Sequence, residues 1–147
     1  MRIFNIYFWK NILDLPFDFC REIRWFIQRG RRGYSDRDCW DTDYYLAQTI
    51  TEMLKNLKEN QHGIPLWEET DTEEEAQKRW DDILESMIYT FICAEKIADG
   101  DILYTTESKR QEYEELSKTT AIDLMTKEEC KDYRKGWSNF SKYFNYL

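Results

Sequence analysis

Apolar residues recur every three or four positions over most of the chain, the period of an amphipathic α-helix. The longest run covers residues 80–92 and follows Thr72-x-x-Glu75, a capping box that predicts the start of a central core helix. A second capping box, Thr126-x-x-Glu129, opens the last helix. The core pattern consists of Trp80, Ile83, Leu84, Met87, Ile88, Phe91 and Ile92, and the last helix carries Cys130, Tyr133, Trp137, Phe140, Phe144 and Leu147.

The first third of the chain predicts further helices. Residues 1–15 are apolar and aromatic, but polar side chains interrupt them too often for a membrane span, so they predict a packing helix, with a membrane-surface helix as the alternative. Another helix is expected to enter at Pro16, because the first helical position needs no N–H donor, and to end at Gly30 and Gly33. Its apolar face consists of Phe19, Ile23, Phe26 and Ile27.

The next helix is predicted to start near Ser35 or Asp36, because Ser35-x-x-Asp38 approximates a capping box. It should end before residues 61–63, and Pro65 prevents it from continuing. Its predicted apolar stripe consists of Cys39, Leu46, Ile50, Met53 and Leu57, widened by Trp40, Tyr44, Ala47 and Leu54.

Five glycines and two prolines are too few for the many turns of a β-sandwich or barrel. We therefore predict an all-α, compact helical bundle of about five helices in a single domain, residues 1–147. Its parts are N-terminal helices (1–34), core helices (35–100), a polar excursion that is an exposed helix or a mobile segment (101–125), and a C-terminal helix (126–147). Gly136 lies inside the last helix and predicts a close approach to its backbone.

Charge narrows the functional classes. The net charge of -8 argues against general nucleic-acid binding, which needs surplus Lys and Arg. Six arginines face two acids in residues 21–37, whereas eight acids face two bases in residues 67–82. The acidic run is either a solvated surface or a screen for the basic region.

Enzyme chemistry has little support in the sequence. His62 is the single histidine, and the four cysteines at positions 20, 39, 93 and 130 are not clustered as zinc ligands. No nucleophile-elbow, Walker A or dinucleotide-binding pattern occurs. We expect a protein without catalytic activity, cofactor or metal, with reduced thiols typical of the cytoplasm.

Residues 29–45, called the corner below, concentrate turn glycines, guanidinium groups, aromatic rings and carboxylates. Guanidinium groups match phosphate oxygens and aromatic rings stack on bases, so the corner is either a phosphate-binding site or a rigid joint between helices. Asp36, Asp38, Asp41 and Asp43 alternate on the predicted helix and cannot share one ion, so we expect them to cap it and to pair Arg31, Arg32 or Arg37. The candidate ligand-binding residues are Arg31, Arg32, Tyr34, Arg37, Trp40, Asp41 and Tyr44, where packing is the alternative role of Tyr34 and Trp40.

The segment Arg32-Gly-Tyr-Ser-Asp-Arg-Asp-Cys-Trp-Asp-Thr-Asp-Tyr-Tyr-Leu46 resembles a motif of small phage and prophage proteins. The resemblance extends to about two thirds of the chain through the helix end at residues 54–57, Gly63-Ile-Pro65, residues 80–88 with Phe91, and residues 136–144. It implies a phage product in the cytoplasm of a bacterial host and transfers no activity or catalytic residue.

Two functions remain as hypotheses. The first is a binding protein that captures an anionic, nucleotide-like ligand at the corner and so inhibits host defence. The alternative is a protein–protein interaction module, or a virion or replication accessory, that docks on a host or phage protein through the aromatic N-terminus or the acidic run. Stable membrane insertion is not expected. The apolar residues at positions 143–147 leave a surface through which the protein could form a homo-oligomer.

Overall fold

The computed structural model describes the backbone of residues 6–60, 63–65 and 72–147, and the side chains of those ranges from residue 18 onward. These residues form five α-helices, so the predicted all-α fold is confirmed. The chain divides into two compact units, Met1–Thr42 and Asp43–Leu147. A single domain over residues 1–147 stays a prediction.

The first unit is built on α1, Ile6–Arg32. The helix continues through Pro16, so the predicted entry at that residue is wrong. A proline inside a helix removes one hydrogen bond and costs about 3 kcal/mol, a penalty that the rest of a long helix can offset. The predicted end is confirmed at Gly33, which adopts a φ of 84° and donates its N–H to Arg29 O over 2.9 Å.

The second helix, α2, spans Thr42–Glu59, so the predicted start near Ser35 or Asp36 is wrong. The expected pairing is present: Ser35 N–H donates to Asp38 Oδ2 over 2.7 Å, and Asp38 N–H donates to Ser35 O over 3.1 Å. It closes a turn instead of a helix, because Arg29 also binds the Asp38 carboxylate and fixes it against α1. The capping signal lies within four consecutive residues, whereas Arg29, which binds Asp38, lies nine residues earlier in the sequence.

The buried face of α2 differs from the predicted stripe. Ala47, Thr51 and Leu54 are buried, while Leu46 and Met53, which the stripe contained, are exposed. Cys39 precedes the helix and is exposed as well. Since α2 is apolar over a wide arc, its own pattern does not decide which part of that arc meets the core.

The core of the second unit surrounds α3, Glu73–Asp99, as predicted. Thr72 and Glu75 form the predicted capping box, and Gly100 closes the helix with a φ of 82°. The buried core residues are Ala47, Leu54, Trp80, Ile83, Leu84, Met87 and Phe91.

Helix α5, Lys127–Tyr143, packs against α3 and begins at the predicted capping box of Thr126 and Glu129. Gly136 is buried at the crossing, where a Cβ atom would overlap the Thr90 hydroxyl and the Ser86 carbonyl oxygen. The Thr90 hydroxyl donates to Tyr133 O over 3.0 Å. The close approach predicted at Gly136 is therefore confirmed.

Residues 101–125 contain the exposed helix that was one of the two predicted alternatives, together with two short strands that were not predicted. The two-residue strands β1, Ile102–Leu103, and β2, Asp123–Leu124, pair in parallel on either side of α4, Arg110–Thr120. Met125 is buried beside Cys93 and Cys130 in a second, smaller core. Strands of two residues are too short for alternation to reveal in a sequence.

Across the described ranges, no helix is both long and apolar enough to cross a bilayer.

Candidate functional site

The part of the corner in the first unit folds against α1 through buried Asp38. This carboxylate, with 5% of its side chain exposed, accepts hydrogen bonds from Arg29 Nε over 2.9 Å and from Ser35 N–H over 2.7 Å. The bonds from Arg29, and then those from Ser35, hold the pKa of Asp38 far below its ordinary value, although burial alone would raise it. Asp38 therefore stays ionised and fixes the end of α1.

Asp36 makes the second connection to α1. Its carboxylate binds Arg32 and also accepts from Gln28 Nε2 over 2.7 Å and from Arg24 Nη2 over 3.2 Å. The Asp36 N–H in turn donates to Gln28 Oε1 over 2.9 Å. The bond from Arg32, followed by that from Gln28, lowers the pKa of Asp36. Three arginines of the region thus already have carboxylate partners.

Some candidate ligand-binding residues come together and others do not. The Arg32 guanidinium lies 4.7 Å from the Tyr34 ring centroid. Arg37 instead lies 5.3 Å from the Trp25 ring and 3.7 Å from a Glu22 carboxylate oxygen. In the described part of the chain, the side chains of the remaining first-unit candidates make no hydrogen bond, ion pair or ring contact; these are Arg31, Trp40 and Asp41.

The structure does not bring Trp40 together with the candidate arginines. Its side chain is 87% exposed, so it neither packs the joint nor joins the arginines. The tryptophan that contacts arginines is Trp25, whose ring centroid lies 5.0 Å from the Arg21 guanidinium and 5.3 Å from that of Arg37. The sequence signal for this α1 surface is the four-residue spacing of Arg24, Gln28 and Arg32, which places them on one helix face.

Tyr44, the last candidate, belongs to the second unit. Its hydroxyl lies beside Glu95, whose charge, with partial burial and a hydrogen bond, raises the pKa of Tyr44. Asp99 and Asp101 line the same small cavity of about 240 Å³. No group of three or more His, Cys, Asp or Glu side chains in the described ranges is arranged to hold a metal ion.

Comparison with family models, with curated proteins and with solved structures found no match.

An open groove of about 1290 Å³ lies in the second unit. We call it the α2 groove. Ten consecutive residues of α2, 48–57, form one side, and residues of α3 and α5 with the chain end form the other. Its apolar lining consists of Ile50, Met53, Leu54, Leu57, Ile92, Phe140, Phe144 and Leu147.

The α2 groove combines an apolar floor with a polar rim. Met53 is 67% exposed and Phe144 is 61% exposed, so both present apolar surface to solvent. On the rim, Lys55 Nζ binds Glu52 over 2.8 Å, and Gln48 Nε2 reaches Glu95 over 3.5 Å. Met53 belongs to the predicted apolar stripe of α2, and that pattern did not predict its exposure to solvent.

Proposed function

We propose that this protein is a non-enzymatic binding protein that receives an amphipathic helix of a partner protein in the α2 groove. The observation that carries the proposal is the size and lining of the groove, an open apolar surface built by three helices of one unit. Following the resemblance to phage proteins, we propose a host or phage protein in the bacterial cytoplasm as the partner.

The dimensions favour a helix over a small molecule. Pockets for small molecules usually enclose about 300–1,000 Å³ and surround their ligand, whereas the α2 groove is larger and open along one side. Its α2 wall is about 15 Å long, since each helical residue adds about 1.5 Å. That length matches about three turns of a docked helix, which would present residues at i, i+3, i+4 and i+7 to the floor.

Charge defines the partner further. Residues 43–147 hold 13 Lys and Arg against 23 Asp and Glu, a net charge of -10 for the second unit. A helix with basic residues beside its apolar face would be attracted to this surface and would dock faster at low ionic strength. The proposed occupant is therefore a basic amphipathic helix.

A photo-crosslinking amino acid at position 53 would test this assignment in bacterial extract, with the same amino acid at Gln111 as the control. Met53 lines the groove, whereas Gln111 is exposed on α4 away from it. We expect one polypeptide to be captured at position 53 alone, through a peptide with an apolar helical face and basic flanks. Capture at both positions, or of a peptide without that pattern, would overturn the proposal.

A matched pair of charge variants sharpens the result. Met53→Glu places a carboxylate on the groove floor, and Gln111→Glu adds the same charge elsewhere. Burying an unpaired charge against apolar side chains is strongly unfavourable, so we expect Met53→Glu to weaken binding of the captured peptide by about tenfold or more. Gln111→Glu should bind as the unchanged protein does, by isothermal titration calorimetry.

Capture of an anionic nucleotide at the corner is the second proposal, and the geometry supports it less. Arg24, Arg29 and Arg32 are bound to aspartates, and Trp40 stands apart from them. In its favour, Arg31 is exposed and has no ion-pair partner among the described residues. Mass analysis of small molecules released from protein purified out of cell extract tests it: a nucleotide retained by the protein and lost in Arg31→Ala would support capture.

A further inference from the structure

The described part of helix α1 carries an exposed apolar stripe. Phe19 is 67% exposed and Phe26 is 78% exposed, and Ile23 between them is exposed too. Gly30 continues the line, since positions 19, 23, 26 and 30 are separated by four, three and four residues. We call these four residues the α1 stripe. The corner packs on another face of the helix, through Arg24, Gln28 and Arg32.

No described residue accounts for the glycine at position 30. Gly30 lies in the helix, outside the left-handed region that favours glycine, and no atom of the described residues lies within 4 Å of where its Cβ would be. Glycine costs a helix interior about 1 kcal/mol relative to alanine. A glycine at this position is useful where another molecule approaches the helix closely.

The spacing of the α1 stripe reads the same in both directions. If two copies of α1 lie antiparallel with Ile23 opposite Phe26, then Phe19 of each copy lies opposite Gly30 of the other. A large ring thus meets the space that glycine leaves, and a branched side chain meets a ring, which is how facing helices fill an interface. A parallel pair would place Phe19 against Phe19 and glycine against glycine, leaving a void.

The residues beside the stripe have matching charges. Glu22 and Arg29 are seven residues apart and therefore lie on the same flank of the helix. Antiparallel helices bring like flanks together, so Glu22 of each copy would face Arg29 of the other, giving two equivalent ion pairs. Arg29 binds Asp38, and 47% of its side chain is exposed.

We propose that the α1 stripe is a homodimer interface, in which two copies of α1 pair antiparallel with Phe19 of one copy over Gly30 of the other. The interface covers residues 19–30, about 18 Å of helix. Two helices in contact over this length bury less surface than a standard stable complex does. The dimer is therefore weak, and its population depends on protein concentration. The α1 stripe and the α2 groove share no residue, so either proposal can be disproved without affecting the other.

Sedimentation velocity across concentrations from about 1 μM to about 1 mM tests association, because this range brackets the affinity expected of a small interface. The unchanged protein should shift from monomer to dimer. Gly30→Leu fills the space for the opposing ring without a clash inside its own chain. The dissociation constant of the dimer should therefore rise about tenfold or more. Arg21→Leu, which places the same side chain on the face of α1 opposite the stripe, should leave association unchanged.

A double variant tests the register. Phe19→Ala removes the ring and should weaken association, but combined with Gly30→Leu it should restore association toward that of the unchanged protein. Positions 19 and 30 are about 16 Å apart along one helix, so one can compensate for the other only between two copies. A protein that stays monomeric at every concentration, an unaffected Gly30→Leu, or a double variant no tighter than either single variant would each overturn the proposal.

Discussion

Helices α5 and α1 each carry a glycine in their interior, and the surroundings of the two glycines are opposite. Gly136 in α5 is buried where the helix crosses α3, close to Thr90 and the Ser86 backbone. Gly30 in α1 is exposed, and a Cβ atom there would have no neighbour within 4 Å in the described part of the chain. The cost of glycine in a helix, about 1 kcal/mol, is offset in α5 by a close helix crossing within the chain.

The aromatic residues of the two helices follow the same division. In α5, Trp137 and Phe140 contact Phe91 of α3 with ring centroids 5.0 and 4.8 Å apart. In α1, Phe19 and Phe26 make no ring contact with another described residue. Within the second unit, aromatic rings of α5 thus contact a ring of α3, whereas Phe19 and Phe26 of α1 are exposed.

The strongest test of this comparison is Gly136→Ala. The added methyl group would overlap the Thr90 hydroxyl and the Ser86 carbonyl oxygen, and the latter belongs to the α3 backbone and cannot turn away. Overpacking of this kind destabilises a protein by about 1–3 kcal/mol, more than alanine's helix preference returns. Urea unfolding should show that loss.

The control for Gly136→Ala is Ser141→Ala on the exposed side of the same helix. An exposed substitution of this kind should change the free energy of unfolding by less than about 0.5 kcal/mol. If Gly136→Ala proved as harmless as Ser141→Ala, the crossing of α3 and α5 would have to be looser than described.

Asp38→Asn gives the next effect and concerns the first unit. The variant removes the charge that holds Arg29, while Ser35 N–H keeps an acceptor. We therefore expect the free energy of unfolding of the first unit to fall by about 1–3 kcal/mol. Because the folded pKa of Asp38 is lowered, its stabilisation is complete above the ordinary aspartate pKa and declines as the pH falls through that value toward the folded pKa.

Amide hydrogen exchange of residues 33–40, followed as the pH is lowered, measures this contribution once corrected for the intrinsic pH dependence of exchange. Protection in the unchanged protein should decrease below about pH 4, where aspartate takes up its proton in the unfolded chain. Asp38→Asn should start lower and show a smaller dependence on pH. Equal slopes for the two proteins would mean that Asp38 is not the group responsible.

Sequence predicted this fold best where the signals are local. The capping boxes at Thr72 and Thr126 were identified correctly, because each box and its helix lie within a few residues. Ser35-x-x-Asp38 carries a similar signal, but Arg29 from the preceding helix binds the carboxylate and a turn forms instead. A pattern of four residues contains no information about that contact.

The structure brings only some of the candidate residues of the corner together, for a related reason. Arg32 and Tyr34 lie together as expected, since two residues separate them. Trp40 is close to the arginines in sequence. Trp25 is close to Arg37 in space, because the chain after α1 folds back against that helix. The α2 groove depends on three helices at once, so no single stretch of sequence revealed it.

Gly30→Ala should give the smallest effect, with a sign opposite to that of Gly136→Ala. No atom obstructs the added methyl group, and alanine favours the helix and restricts the unfolded chain, so α1 should gain about 0.4–1 kcal/mol. Amide exchange of α1, measured at a protein concentration low enough to exclude dimers, would show slower opening. A loss of protection there would mean that Gly30 already contacts a neighbour within its own chain. That result would contradict the homodimer proposed for the α1 stripe.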